Sequence, residues 1–180
     1  MAISPGVHKV GPSDGKLQVR TYREGMAQKI GHDLVLDVGQ WQATIDVGPD
    51  GTPSSIELEA DSRSLEVREG VGGAKPLSDK DRGDIKKSID DKVLEGKPIA
   101  FHSSSVQSAD GHLAVEGELE ITGSKRPVKF DLDVAGDGRV SATLPLTQSE
   151  YGIKPFKAMM GALKVRDVVE VVLEAPLPSA

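Results

Sequence analysis

Leu113-Ala-Val115-Glu-Gly117-Glu-Leu119-Glu-Ile121, and after a short polar break Val128-Lys-Phe130-Asp-Leu132-Asp-Val134, set large apolar residues against small or charged ones with a period of two. A strand that buries one face and wets the other reads this way, and two such runs in succession predict an antiparallel hairpin. The same period returns on both sides of this pair. It is present at Leu17/Val19/Thr21, Leu34/Leu36/Val38, Trp41/Ala43/Ile45/Val47, Ile56/Leu58/Ala60, Leu65/Val67 and Ile99/Phe101. It continues at Val140/Ala142/Leu144/Leu146 and Val169/Val171/Leu173. Parallel strands would show unbroken apolar runs, which only Val168 to Leu173 approaches.

Turn chemistry agrees with hairpins. Asp14-Gly15, Asp50-Gly51, Asp110-Gly111 and Asp137-Gly138 lie between alternating runs, and Asn is absent, so Asp and Gly carry the turns. A meander of about eight strands leaves two open edges unless it curls shut, so the expected fold is all-β, a single antiparallel β-barrel domain over residues 1–180. Between Val38 and Trp41 the inward phase slips, and Gly39 at the slip predicts a bend or bulge within one long strand. One amphipathic α-helix is expected at about 79–95. Ser78 and Asp81 have capping-box spacing, Ile85, Ile89 and Val93 share a face, and Gly96 and Pro98 end it. Arg23–Ile30 and Pro155–Leu163 read as short helical turns, the second with Phe156, Met159, Met160 and Leu163 on its apolar side.

Composition excludes several classes of function. There is no Cys, hence no disulfide, thiolate metal site or thiol redox chemistry. The formal net charge of −6, with bases interleaved among acids, argues against nucleic-acid binding. No stretch approaches the roughly 18 apolar residues of a transmembrane segment. The start lacks a basic-then-apolar leader, which gives a cytoplasmic expectation.

Catalytic patterns fail on context. Gly11-Pro-Ser13-Asp-Gly15 has G-x-S-x-G spacing but sits in a polar turn that leads into a strand, not a strand that opens a helix. Gly70–Lys75 precedes a helix but lacks the Gly-Lys-Ser/Thr ending of a phosphate loop. Asp79, Asp81 and Gly83 lack the closing Glu of a calcium loop. His8, His32, His102 and His112 have no ligand spacing, and only His32, at a strand entrance, is of structural interest. The expectation is therefore no enzyme, no catalytic residue and no metal.

Gly117-Glu-Leu119-Glu-Ile121-Thr122-Gly123-Ser-Lys-Arg-Pro127-Val128 resembles the G-x-L-T-I-x-G-x-T-x-P-V hairpin of the YceI-like family. Ser149-Glu-Tyr151-Gly152-Ile153 and Val165-Arg-Asp167-Val168-Val169 resemble its closing S-D-F-G-I and V-G-D-E-V segments. Ser64–Val67 through Pro98–Ser103 is similar to its strand–helix–strand module. The resemblance runs from about Leu17 to the C-terminus. It implies an extended lipocalin-like barrel that binds a polyisoprenoid, an isoprenoid quinone or a fatty-acyl lipid.

An interior of Leu, Val, Ile and Ala with few aromatics favours a hollow barrel. The expected ligand-binding set is Met26, Leu36, Trp41, Ile45, Leu58, Phe101, Leu119, Phe130, Leu132, Met160 and Leu163. The expected role is non-enzymatic binding, transport or sequestration of an apolar lipid, with Pro155–Leu163 as a lid over the mouth. The alternative is a homodimeric structural or stress-related module whose barrel is packed by flexible Met side chains and whose contact patch includes Val35, Val168 and Val172.

Overall fold

The computed structural model describes residues 3–177. Its main element is an eleven-stranded antiparallel sheet, with a separate three-stranded sheet beside it. The main sheet comprises β1 (Gly6–Val10), β2 (Lys16–Thr21), β4 (Asp33–Val38), β5 (Trp41–Val47), β6 (Pro53–Ala60), β7 (Leu65–Val71), β8 (Ile99–Ala109), β9 (His112–Ile121), β10 (Ser124–Val134), β11 (Arg139–Thr147) and β14 (Val168–Pro176). The small sheet holds β3 (Arg23–Glu24), β12 (Lys157–Ala158) and β13 (Leu163–Val165).

The expected count of about eight strands is corrected to fourteen. The run expected as one long strand through Gly39 is divided in two, β1 precedes the first expected run, and three more strands form the small sheet. The Gly11–Gly15 turn divides β1 from β2, Gly39 and Gln40 divide β4 from β5, and a 3-10 turn at Ser62–Ser64 divides β6 from β7. Each pair of broken strands matches the next: β1 and β2 line up on β5 and β4, which line up on β6 and β7. β5 lies near one end of the sheet order and β4 near the other, yet two residues join them. The sheet therefore curls until its ends meet at this corner. β10 and β11 pair only at Asp133/Ser141 and Val134/Val140 and splay apart beyond them.

The helix α1 (Asp79–Ser88) continues as a π-helical turn at Ile89–Val93. The Ser78 hydroxyl accepts from the Asp81 N–H and the Asp81 carboxylate accepts from the Ser78 N–H. These bonds hold the Asp81 carboxyl below its ordinary pKa. The helix lies along β7, the last strand of the sheet order, and shields that free edge with cations. Arg82 donates to the carbonyls of Val67 and Arg68, and Lys86 to those of Arg63 and Leu65. An edge carbonyl row satisfied in this way cannot recruit another strand.

The two expected helical turns are corrected. Arg23–Ile30 is the strand β3 followed by a 3-10 turn at Gln28–Ile30. Pro155–Leu163 is a hairpin: β12 and β13 pair through Lys157/Lys164 and Ala158/Leu163, with a 3-10 turn at Met159–Gly161 as its tip. β13 then pairs with β3, so strand pairing overrides the helical spacing of the apolar residues. Of the proposed contact patch, Val172 is buried and Val35 half-buried, leaving only Val168 exposed.

Candidate functional site

The curled sheet encloses a cavity of about 790 Å³. Its walls are aliphatic: Val10, Val19, Leu34, Leu36, Leu58, Leu144, Val171 and Leu173 come from strands, and Ile85, Ile89, Val93 and Leu94 from the helical segment. The helix thus completes the wall beside β7 rather than lying outside a closed barrel. Its final π turn, closed by the Leu94 N–H donating to the Ile89 carbonyl, places both side chains inside. Leu58, Phe130, Leu144 and Val171 face inward yet are only half-buried. The area they expose lines the cavity.

Nine of the eleven residues expected to bind ligand stand on this wall: Leu36, Trp41, Ile45, Leu58, Phe101, Leu119, Phe130, Leu132 and Leu163. Phe101 and Phe130 meet with ring centroids 5.6 Å apart and planes tilted by 60°. Met26 and Met160 do not line the cavity, and their side chains are fully exposed at 98% and 107%. Of the segment expected as a lid, the Met159–Gly161 tip projects into solvent, whereas Phe156 and Leu163 line the cavity. The methionines therefore do not plug the interior either.

Polar wall residues gather at one end. Thr21, Arg23, His32, Lys75, Asp81, Asp84, Gln148, Tyr151 and Lys164 surround the mouth, whereas the opposite end is closed by Val10, Leu113, Val140, Ala175 and Leu177. Arg23 is the keystone of the rim. Its guanidinium donates to the carbonyls of Gly31 and Val71, both at 2.8 Å, and its backbone N–H donates to Asp33. His32 Nε2 lies 2.7 Å from the Lys75 carbonyl and ties the loop before α1 to β4. Gly72 and Gly73 allow this approach. Both have φ of +78°, and a Cβ would sit 2.0 Å from Arg23 or 2.4 Å from His32. Burial raises the Tyr151 phenol pKa, with Glu150 adding to the shift. Sequence reasoning singled out His32, and Tyr151 only as part of the closing family-like segment, and missed Arg23, Lys75 and Gln148, because this rim is assembled from separate elements with no shared local pattern.

Two segments singled out in the sequence meet at this end. The Asp167 carboxylate accepts from the Ser149 hydroxyl at 2.5 Å and from the Ser149 N–H at 2.8 Å. Gly152, at φ +74°, ends the 3-10 turn Gln148–Tyr151 that carries buried Tyr151 to the mouth. Asp167→Ala removes an acceptor from two charge-assisted bonds and will cost roughly 2 kcal/mol. Thermal unfolding and hydrogen exchange at the Ser149 amide will read this. Unchanged protection at Ser149 would contradict it.

Among the described residues, no group of three or more His, Cys, Asp or Glu side chains gathers as metal ligands would. Nor, among the described residues, is any helix long and apolar enough to cross a membrane.

Residues 19–177 match the YceI-like domain. The chain belongs to the YceI-like family. The match begins inside β2, so the segment holding β1 lies outside it. Among solved structures, the chain is similar to Burkholderia cenocepacia BcnA at 17% identity, covering 89% of this chain and 94% of that one with a TM-score of 0.65. It is also similar to a Campylobacter jejuni YCEI protein at 13% identity, covering 81% and 85% with a TM-score of 0.55. At these identities the likeness speaks for the YceI-like fold alone. A comparison with curated protein sequences finds none that matches.

Proposed function

We propose that this YceI-like chain is a non-enzymatic carrier that binds, sequesters or transports a lipid with an isoprenoid or acyl chain. The supporting observation is the aliphatic cavity of about 790 Å³, closed at one end and open at a polar rim. At roughly 30 Å³ per occupant, the share of one water in the liquid, that volume accommodates on the order of 25 carbon atoms. This matches one fatty-acyl chain or about five isoprene units. Each methylene moved from water to such a wall contributes about 0.8 kcal/mol. Thr21 Oγ1 adds a polar requirement: it is buried on the cavity wall with no hydrogen-bond partner. A ligand with an apolar tail and a hydrogen-bonding head, such as a fatty acid or an isoprenoid quinone, fits both features. A barrel packed by its own side chains is disfavoured by the same volume.

Native mass spectrometry of protein purified without denaturation tests the proposal, with titration of fatty-acyl and polyprenyl probes alongside. A bound lipid mass or saturable uptake is expected. A clean apo mass together with no uptake of either probe would sink it.

A further inference from the structure

We propose that the rim of the cavity is a docking surface for an anionic lipid bilayer, seated by exposed methionines within a cluster of lysines. The surface is built by the small sheet. The tip of the β12–β13 hairpin, Met159-Met160-Gly161-Ala162, lies beside the turn that follows β3, and the Ala27 N–H donates to the Ala162 carbonyl at 2.7 Å. Met26, Met159 and Met160 therefore project from one end of one sheet, with exposures of 98%, 59% and 107%.

Two unfavourable features coincide at this tip. Met159 and Met160 adopt φ of +53° and +56°, the left-handed region that L-residues other than Gly and Asn/Asp rarely enter. Such strain persists only where the surroundings hold it. Here no burial offsets it, since both side chains stand in solvent. Strained backbone that presents unbranched, adaptable apolar side chains to the outside suits insertion into a fluid apolar phase.

The charge around the tip identifies the phase. The whole chain carries −6 and Asp81 and Asp84 stand across the mouth on α1, yet on the small-sheet side residues 25–32 and 152–165 contain no Asp or Glu and include Lys29, Lys154, Lys157 and Lys164. Lys164 pairs with Glu24 at 3.7 Å; Lys29, Lys154 and Lys157 are exposed and form no ion pair among the described residues. A local basic cluster on an acidic protein turns the small-sheet side of the mouth toward negative surfaces and the acidic remainder, α1 included, away from them. Long lysine stems keep their ammonium groups at headgroup level while the methionines enter below. Ile30 and Phe156 are exposed at the rim and also line the cavity, so the apolar path runs from the docking surface to the interior. Docking does not depend on what the cavity holds, and the two are measured separately.

Cosedimentation with phosphatidylcholine vesicles, with and without phosphatidylglycerol, tests the proposal. The protein is expected to bind the anionic vesicles at about 0.1 M salt and to leave them near 1 M, as the screening length falls from about 10 to 3 Å. Lys154→Gln with Lys157→Gln will weaken binding about 30-fold, at about 1 kcal/mol per lysine. Met159→Asp with Met160→Asp will abolish binding. Asp tolerates the left-handed backbone, so this variant keeps the fold, and an unchanged circular dichroism spectrum and melting temperature will confirm it. Equal binding to neutral vesicles, or full binding by either double variant, would overturn the proposal. So would sedimentation of the wild type as a dimer that Met160→Asp converts to monomer, because a second copy would then own the patch.

Discussion

Val171→Trp will leave the barrel folded and weaken uptake of a fatty-acyl probe by roughly two orders of magnitude. Val171 stands at mid-height on β14, paired with Leu144 on one side and Val19 on the other, and Val19 is paired with Leu36. All four line the cavity. Val171 is half-buried because its side chain meets open space there and not packed neighbours. A larger side chain at this point grows into the cavity, so the usual overpacking cost of about 1–3 kcal/mol does not apply. An indole there displaces about four methylenes of a bound chain, each worth about 0.8 kcal/mol, for a total near 3 kcal/mol. Titration with a fluorescent fatty acid reads the affinity and thermal unfolding reads the fold. Unchanged affinity with an unchanged melting temperature would mean that the probe sits elsewhere. Val168→Trp is the control: it lies on the same strand but is exposed outside, and will leave uptake unchanged.

The interior was legible because a period of two is a local signal. Leu113, Val115, Leu119 and Ile121 are buried on β9 as their alternation predicts, and the strand-borne members of the proposed binding set all reach the cavity wall. The mouth was not legible. Arg23, Lys75, Gln148 and Tyr151 come from a short strand, a loop and a 3-10 turn, and only the curling of the sheet brings them together. The hairpin at Lys157–Val165 misled for a specific reason. Phe156, Met159, Met160 and Leu163 fall at helical spacing, but only Phe156 and Leu163 turn to the cavity while Met159 and Met160 stand in solvent, and ladder bonds from β13 to β3 take over. The lysines at 154, 157 and 164, interleaved with that stripe, were the available signal for an outward-facing tip. β1 escaped notice because Val7 is exposed and only Val10 of its residues is buried.

Gly117→Ala will lower stability by about 3 kcal/mol, and Gly117→Val by more. Gly117 lies on β9 between Ser103 of β8 and Val128 of β10, and the Phe101 ring folds across the space its missing side chain leaves. A Cβ there would sit 2.4 Å from the His102 carbonyl oxygen and 2.6 Å from Phe101 Cε2. The ring can rotate away, but the carbonyl belongs to the β8–β9 ladder and moves only with the strand. An aromatic ring over a strand glycine covers backbone that would otherwise be bare, so displacing it also exposes the ladder. Overpacking of this kind costs up to about 3 kcal/mol, and in a chain of this size that lowers the melting temperature by roughly 6–12 °C. Two variants separate the causes. Gly136→Ala, with open space around its Cβ and no positive φ, will unfold with the wild type. Phe101→Leu in the Gly117→Ala background will recover the part due to the ring and leave the part due to the His102 carbonyl. Thermal unfolding of Gly117→Ala at the wild-type temperature would show that β8 and β9 can part without cost, and the close-packed glycine would then have no structural role.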